Sequence, residues 1–202
     1  LETLSGNSDS LPPIWSRAIN TMSQQAGRME LLISDLLLLA KFETIDQSLA
    51  KQDISIKRLL GSVKDDAIAL SGEQAHIVNI TYNSNDSLIG DEGQLRSAFS
   101  NIIFNAIKYT PKGGTVQVIA YAEQDTIILD IIDSGIGINK HSQDKIFERF
   151  QRADDVKNQA TFGVGIGLSL VNELVKAHGW RISLMSEKGY GSKFSLSIPI
   201  AL

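Results

Sequence analysis

TVQVIAYAEQDTIILDIIDSGIG, residues 115–137, is the stretch on which the fold turns. Two runs rich in apolar and β-branched residues, 115–122 and 126–133, flank the short polar connection Glu123-Gln124-Asp125, so they read as an antiparallel hairpin. The second run delivers a carboxylate into Asp133-Ser134-Gly135-Ile136-Gly137-Ile138, where two glycines permit positive φ and let a flat ligand approach the backbone. An aspartate at such a strand end can accept from an exocyclic amine such as that of adenine. Taken alone, the pattern also suits a simple strand-end turn.

Upstream, residues 91–109 carry helical periodicity through Leu95, Phe99, Ile102, Ile103 and Ala106, stopped by Pro111 and Gly113-Gly114. Asn101 and Asn105 stand four apart, hence on one face, and Lys108 and Tyr109 follow. An amide oxygen is a neutral ligand for Mg²⁺, an ion that completes its shell with water and phosphates, and Lys108 would add a point charge to those phosphates. An isolated asparagine pair is as readily structural. Downstream, Gly163-Val164-Gly165-Ile166-Gly167-Leu168 alternates glycines just before a helix over about 165–177. Backbone N–H groups at a helix start form an anion site, so phosphates are expected there. The spacing is neither that of a P-loop nor G-x-G-x-x-G.

The remaining elements frame these three features. A strand leads into an amphipathic helix over 54–70, a strand covers 77–82, and strands 181–186 and 193–198 flank the turn Lys188-Gly189-Tyr190-Gly191. The sum is an α+β sandwich, a mixed sheet with helices on one face. Before it, Leu11-Pro12-Pro13 forbids helix, and from Ile14 apolar residues recur at Trp15, Ile19, Met22, Ala26, Met29, Ile33, Leu36 and Ala40. That 4-3-4-3 spacing is the seam of a coiled coil or bundle, and Leu32, Leu37, Leu38 and Leu39 widen it toward a four-helix arrangement. The pattern lapses into a polar linker over 44–51, which divides the chain into units 1–46 and 47–202.

Composition narrows the functional classes. The 202 residues, 43% hydrophobic and 21% charged, suffice for one core and a smaller piece. Lys+Arg 19 against Asp+Glu 23 gives a net charge of −4, with no electrostatic reason to bind nucleic acid or an anionic membrane. The absence of cysteine removes thiol chemistry and cysteine metal sites. The richest apolar run, residues 31–40, contains Ser34 and Asp35 and falls short of the ~20 residues a bilayer needs. The chain opens without Met inside an apolar helical pattern, which points to a segment of a longer protein.

Taken together, the motifs resemble the ATP-binding domain of sensor histidine kinases, of the superfamily shared with DNA gyrase and MutL. Asn101-x-x-x-Asn105-Ala106-x-Lys108-Tyr109 is similar to the asparagine box, Asp133-x-Gly135-x-Gly137 to the first glycine box, and Gly163-x-Gly165-x-Gly167-Leu168 to the second. Between the glycine boxes, Ile146-Phe147-Glu148-Arg149-Phe150-Gln151-Arg152 resembles the phenylalanine box. Residues 14–43 resemble the second helix of the dimerisation hairpin, and Leu11-Pro12-Pro13-Ile14-Trp15 with Met29-Glu30 and Leu36-Leu37 points to the phosphate-regulon type within the family.

The resemblance implies roles. Asn105 would be the Mg²⁺ ligand, Asn101 would line the phosphate side, and Lys108 and Tyr109 would contact phosphate and the ribose or base. Asp133 would accept from the adenine amine, with Gly135 and Gly137 letting Ile136 and Ile138 shape the base pocket. Residues 139–161 would form a mobile lid anchored by Phe147 and Phe150, with Arg152 reaching the terminal phosphate. Gly163, Gly165 and Gly167, with Leu168, would hold phosphates on the following helix. Gyrase-like hydrolases carry a glutamate base where Asn101 stands, and an amide cannot take a proton from water, so slow hydrolysis is expected. Phe162 and Val164 depart from the family's small residues before and within the second glycine box.

The phosphoacceptor pattern, His followed by Glu or Asp, Leu-Arg and a Pro two further on, appears nowhere in these residues. His76, His141 and His178 read as ordinary surface or satisfied histidines, and Leu1-Glu2-Thr3-Leu4 resembles the end of the first hairpin helix, so the acceptor is expected upstream. This chain should then bind ATP and Mg²⁺ without phosphorylating itself, as a monomer or weak dimer. The intact protein would be a homodimer relaying the phosphoryl group to a response-regulator receiver domain, and this portion the cytoplasmic part of a membrane-anchored sensor. The other readings are a nucleotide-dependent binding module and an anti-sigma serine kinase; the heptad helix argues against the latter.

Overall fold

The computed structural model describes residues 52–83, 87–151 and 165–200, together with Trp15, Ala18, Ile19, Thr21, Met22, Ala26, Met29 and Ile33. The chain divides into two compact units, Leu1–Asp46 and Gln47–Leu202. In the first, all eight described residues are helical, and the heptad positions Trp15, Met22, Met29 and Ile33 are each more than half exposed. Of the other heptad residues, Ile19 is half-buried and Ala26 exposed, and Leu36 and Ala40 lie outside the described set.

In the second unit, β1 (Gln52–Ser55) leads into α1 (Ile56–Ser71), whose N-terminus is capped by the Ser55 hydroxyl accepting from Arg58 N. After a 3₁₀ turn at Gly72–Gln74 come β2 (Ile77–Tyr82), β3 (Ser87–Gly90) and α2 (Glu92–Tyr109). Then follow β4 (Thr115–Glu123), β5 (Thr126–Asp133), α3 (Lys140–Gln143), a 3₁₀ turn at Lys145–Phe147, α4 (Gly167–Ala177), β6 (Arg181–Glu187) and β7 (Gly191–Pro199). Five strands form one sheet in the order β2-β4-β5-β7-β6, antiparallel except for the β2–β4 pair. This is the mixed α+β sheet that the sequence implies.

Alternation builds the core. Val116, Val118 and Ala120 of β4, Ile127, Leu129 and Ile131 of β5, and Phe194, Leu196 and Ile198 of β7 are buried on one face. Against that face α1 packs on α2 and α2 on α4, through Leu59, Leu60, Val63, Phe99, Ile102, Leu170 and Leu174 among others. On the opposite face the buried Asp130 carboxylate is paired with Lys193 Nζ at 2.7 Å and accepts from Ser195 Oγ at 2.6 Å.

Four details differ from the sequence reading. The β4–β5 connection is only Gln124-Asp125, with Gln124 at φ 54°, because the ladder runs on to the Glu123–Thr126 pair. Strand β3 was not foreseen, and it pairs with β1 in a separate two-stranded sheet. Helix α4 begins two residues later than expected, since Gly165 adopts φ 78°, outside helical space. The first section of the expected lid over 139–161 holds α3 and the following 3₁₀ turn, with Ser142 and Ile146 buried, and its residues 152–161 lie outside the described set.

Helix α2 starts where the sequence said, because Asp91 caps it: its Oδ1 accepts from Gln94 N at 2.9 Å. Removing that acceptor by Asp91→Ala should cost about 1 kcal/mol, read by urea unfolding. At its other end His76 ties α2 to α1. His76 Nε2 donates to Thr110 O at 3.0 Å, while Nδ1 faces Ser71 Oγ at 2.9 Å. His178 is likewise satisfied, on Leu174 O at 2.9 Å and against the Trp180 ring. His141 is exposed. Among the described residues no helix is long and apolar enough to cross a membrane.

Candidate nucleotide site

Helix α2 is the spine of the site, because it touches both glycine motifs. At its C-terminal end Tyr109 O accepts from Ile136 N at 3.1 Å, and a Cβ on Gly135 would stand 2.5 Å from that same carbonyl oxygen. Two turns earlier, the Asn101 side chain occupies the space where Gly167 would carry a Cβ, at the first turn of α4. Asn101 and Tyr109 stand eight positions apart on the helix, a span of about 12 Å. Glycine at 135 is thus required by close approach to backbone, whereas a Cβ at 167 would displace the Asn101 amide.

Asp133 is buried at the mouth of this arrangement. Burial pushes its carboxyl up to about 6, against the pull of two backbone donors, Gly135 N at 2.8 Å and Ser192 N at 3.2 Å. Both donate to Oδ1. Oδ2 accepts nothing among the described residues. A carboxylate oxygen left open beside one already holding two backbone donors can accept from outside, so the arrangement fits an external donor such as the adenine amine.

The phosphate end of the site lies at the start of α4. Helix α4 has no side-chain cap, and Leu170 N is already bonded to Ile166 O, so the earlier N–H groups of that first turn remain to bind an anion. Asn105, half-buried on the Asn101 face, makes no side-chain hydrogen bond among the described residues, which leaves its amide oxygen available to a cation. Asn101 is held differently: its Nδ2 donates to Ser97 O at 2.9 Å, one turn back. Lys108 Nζ lies 5.0 Å over the Tyr109 ring. ATP and Mg²⁺ therefore fit the donor set.

Ile136, Gly137 and Ile138 lie half-buried in the loop after β5, and Leu168 is half-buried in the first turn of α4. Phe147 packs edge-on against Phe194, with ring centroids 6.5 Å apart. Phe150 does not anchor as expected. Its side chain is 65% exposed and its backbone sits at φ 62°; the attachment is main-chain, Phe150 N donating to Gly165 O at 2.9 Å. The outgoing and returning chains are thereby pinned together at 150 and 165. Arg152, Phe162, Gly163 and Val164 lie outside the described residues. The sequence reading missed Ser186, Ser192 and Gln143, which buttress the Asp133 loop from β6, β7 and α3 across long sequence separations.

Residues 90–202 match the family described as histidine kinase-, DNA gyrase B-, and HSP90-like ATPase. The phosphate regulon sensor protein PhoR of Pseudomonas aeruginosa is 40% identical over 195 residues, covering 96% of this chain and 44% of that protein. The chain thus spans less than half the length of this curated relative. Among solved structures, full-length ShkA in complex with AMPPNP superposes with a TM-score of 0.75 at 25% identity, covering 95% of this chain and 40% of that one. The Acinetobacter baumannii histidine kinase AdeS gives 0.74 at 19% identity, over 98% and 92% of the two chains, and so speaks for the fold alone. With the motifs of both glycine boxes converging on one asparagine-bearing helix, the chain belongs to the histidine kinase-, DNA gyrase B-, and HSP90-like ATPase family, with sensor histidine kinases among its relatives.

Proposed function

We propose that this chain is the ATP- and Mg²⁺-dependent catalytic region of a sensor histidine kinase. It transfers the γ-phosphoryl group of ATP to a histidine outside these 202 residues, for relay to an aspartate on a response regulator. The observation that carries the reading is the run of α2 from Gly167 to Gly135, with the unpartnered Asp133 Oδ2 at one end and the uncapped α4 at the other. In the transfer, an imidazole nitrogen forms a bond to γ-phosphorus as the β–γ bridging oxygen leaves with its electron pair on ADP, and the imidazole proton passes to solvent. Mg²⁺, when bound, supplies charge neutralisation on the phosphates. The chain contributes position: Asp133 orients the base, α4 and Lys108 hold phosphate oxygens, Arg152 reaches the terminal phosphate, and Asn105 offers its amide oxygen to the ion. Asn101, an amide bonded back to Ser97, is no base for water, which favours transfer over hydrolysis.

Residues 1–46 are read as part of a dimerisation hairpin lacking the acceptor half. The exposed helical residues Trp15, Met22, Met29 and Ile33 support pairing with a second copy in the intact protein. The test is phosphoryl transfer from this chain to a separately supplied hairpin bearing the acceptor histidine. Transfer from ATP is expected only with Mg²⁺, the chain alone should stay unlabelled, and Asn105→Ala should shift the Mg²⁺ dependence to higher concentration. ATP binding without any transfer would instead favour a nucleotide-dependent binding module.

A further inference from the structure

The loop that carries Asp133 into the site is fastened from a direction that the nucleotide motifs do not include. Gln143 closes α3, and its side-chain amide donates to two carbonyl oxygens at once, Ile138 O and Ser186 O, both at 2.9 Å. Those carbonyls belong to the end of the glycine loop and to β6. The same two residues are joined again through Ile138 N, which donates to Ser186 Oγ at 2.8 Å. Ser186 Oγ lies 2.9 Å from Gly191 O, to which it donates, and 3.0 Å from Ser192 Oγ. Ser192 N reaches Asp133 Oδ1. A continuous polar chain thus runs from Gln143 through Ser186 and Ser192 to the buried carboxylate, and a parallel main-chain bond, Gly189 N to Ile136 O at 2.7 Å, closes the loop's middle.

We propose that Gln143 is a positioning residue for adenine binding: by clamping Ile138 to Ser186 it holds residues 133–138 in their binding geometry before the nucleotide arrives. The inference rests on the reading of Asp133 as the adenine acceptor. Its physical basis is preorganisation. A loop already held in place gives up little conformational freedom on binding, whereas a loosened one must be ordered at the expense of affinity. No main-chain group can replace the Gln143 amide, because a single side chain here satisfies two carbonyls on different elements. Gln143 also closes α3, directly before the 3₁₀ turn that seats Phe147, so the clamp joins the base loop to the start of the phenylalanine segment.

The decisive comparison is Gln143→Met, which keeps length and bulk but removes both donors. ADP affinity in the presence of Mg²⁺, by calorimetry, should fall about tenfold, the worth of one to two lost hydrogen bonds. Amide hydrogen exchange in the nucleotide-free chain should accelerate at Ile138 and Ile136 while Leu170, at the start of α4, keeps its rate. Gln143→Glu, which turns a carboxylate toward the two carbonyls, should weaken ADP further than Met, and Ser186→Ala combined with Gln143→Met should lose less than the sum of the two single changes. Unchanged ADP affinity in the folded Met variant would overturn the clamp. So would equal acceleration at Leu170, which would mark a general loosening. Failure of the unaltered chain to bind ADP would overturn the nucleotide reading itself, and the clamp with it.

Discussion

Asp133→Asn should make the domain more stable and nearly unable to bind adenine nucleotides. The substitution preserves shape, and the asparagine oxygen can still accept from Gly135 N and Ser192 N as Oδ1 does now. What changes is the other side of the carboxylate, where an acceptor becomes an NH₂ donor facing the donor amine of adenine. Loss of a charge-assisted hydrogen bond, with two donors then opposed, corresponds to a loss of affinity of about 30-fold or more. Stability moves the other way. A carboxyl held at about 6 by burial, against an ordinary 3.8, weighs on the folded state by about 3 kcal/mol once ionised. The folded state binds the proton more tightly than the unfolded chain, so stability is greatest below pH 4 for this group and falls as pH rises from about 4 through 6. Urea unfolding at pH 8 should therefore show the asparagine variant ahead, with the difference vanishing toward pH 4. Nucleotide affinity of the unaltered chain should fall as pH drops below about 6, since Oδ1 is held by two backbone donors and a proton on Oδ2 turns the group facing the amine from a charged acceptor into a donor. A variant that bound ADP normally would remove Asp133 from the base pocket.

That trade shows which features of the site are legible in a sequence. Asp133 announces itself because a carboxylate at the end of an apolar strand is out of pattern, and its neighbours Gly135 and Gly137 mark a backbone under steric demand. The asparagines of α2 are visible because a capped, periodic helix fixes which residues share a face. The supports are not visible. Gln143, Ser186 and Ser192 are common polar residues in unremarkable local settings, and each acquires its role through a contact made across the fold, Ile138 to Ser186 across 48 positions. Strand β3 escaped because four residues just before a helix cap give no alternation to read, and its pairing with β1 is long-range. Helix α3, at four residues, falls below the length at which periodicity distinguishes helix from loop. Phe150 misled for the opposite reason: an aromatic residue is usually a packing anchor, whereas here the main chain makes the attachment and the ring faces solvent.

Glycines carry the same lesson into the second large effect, Gly137→Ala. Gly137, Gly189 and Gly191 stand in one corner, where the Asp133 loop meets the β6–β7 turn, and all three have left-handed backbones, at φ 65°, 87° and 94°. By conformation alone they should be equally intolerant, each costing about 1–2 kcal/mol on gaining a Cβ. Their surroundings separate them. At Gly189 an added Cβ meets nothing within 4 Å, whereas at Gly137 it would collide with the carbonyl of Glu187, and at Gly191 with the carbonyl of Asp133. These are backbone atoms of paired strands and cannot turn aside as a side chain would. Gly189→Ala should then stay near the conformational cost, with ADP affinity nearly unchanged. Gly137→Ala should add the collision to it, costing upwards of about 3 kcal/mol in urea unfolding and displacing the loop enough to abolish measurable ADP binding. Equal stability losses for the two would mean that backbone conformation alone governs this corner. A much larger loss at Gly137 would show that the loop and the β6–β7 turn are packed so closely that the adenine site and the sheet edge form one structural unit.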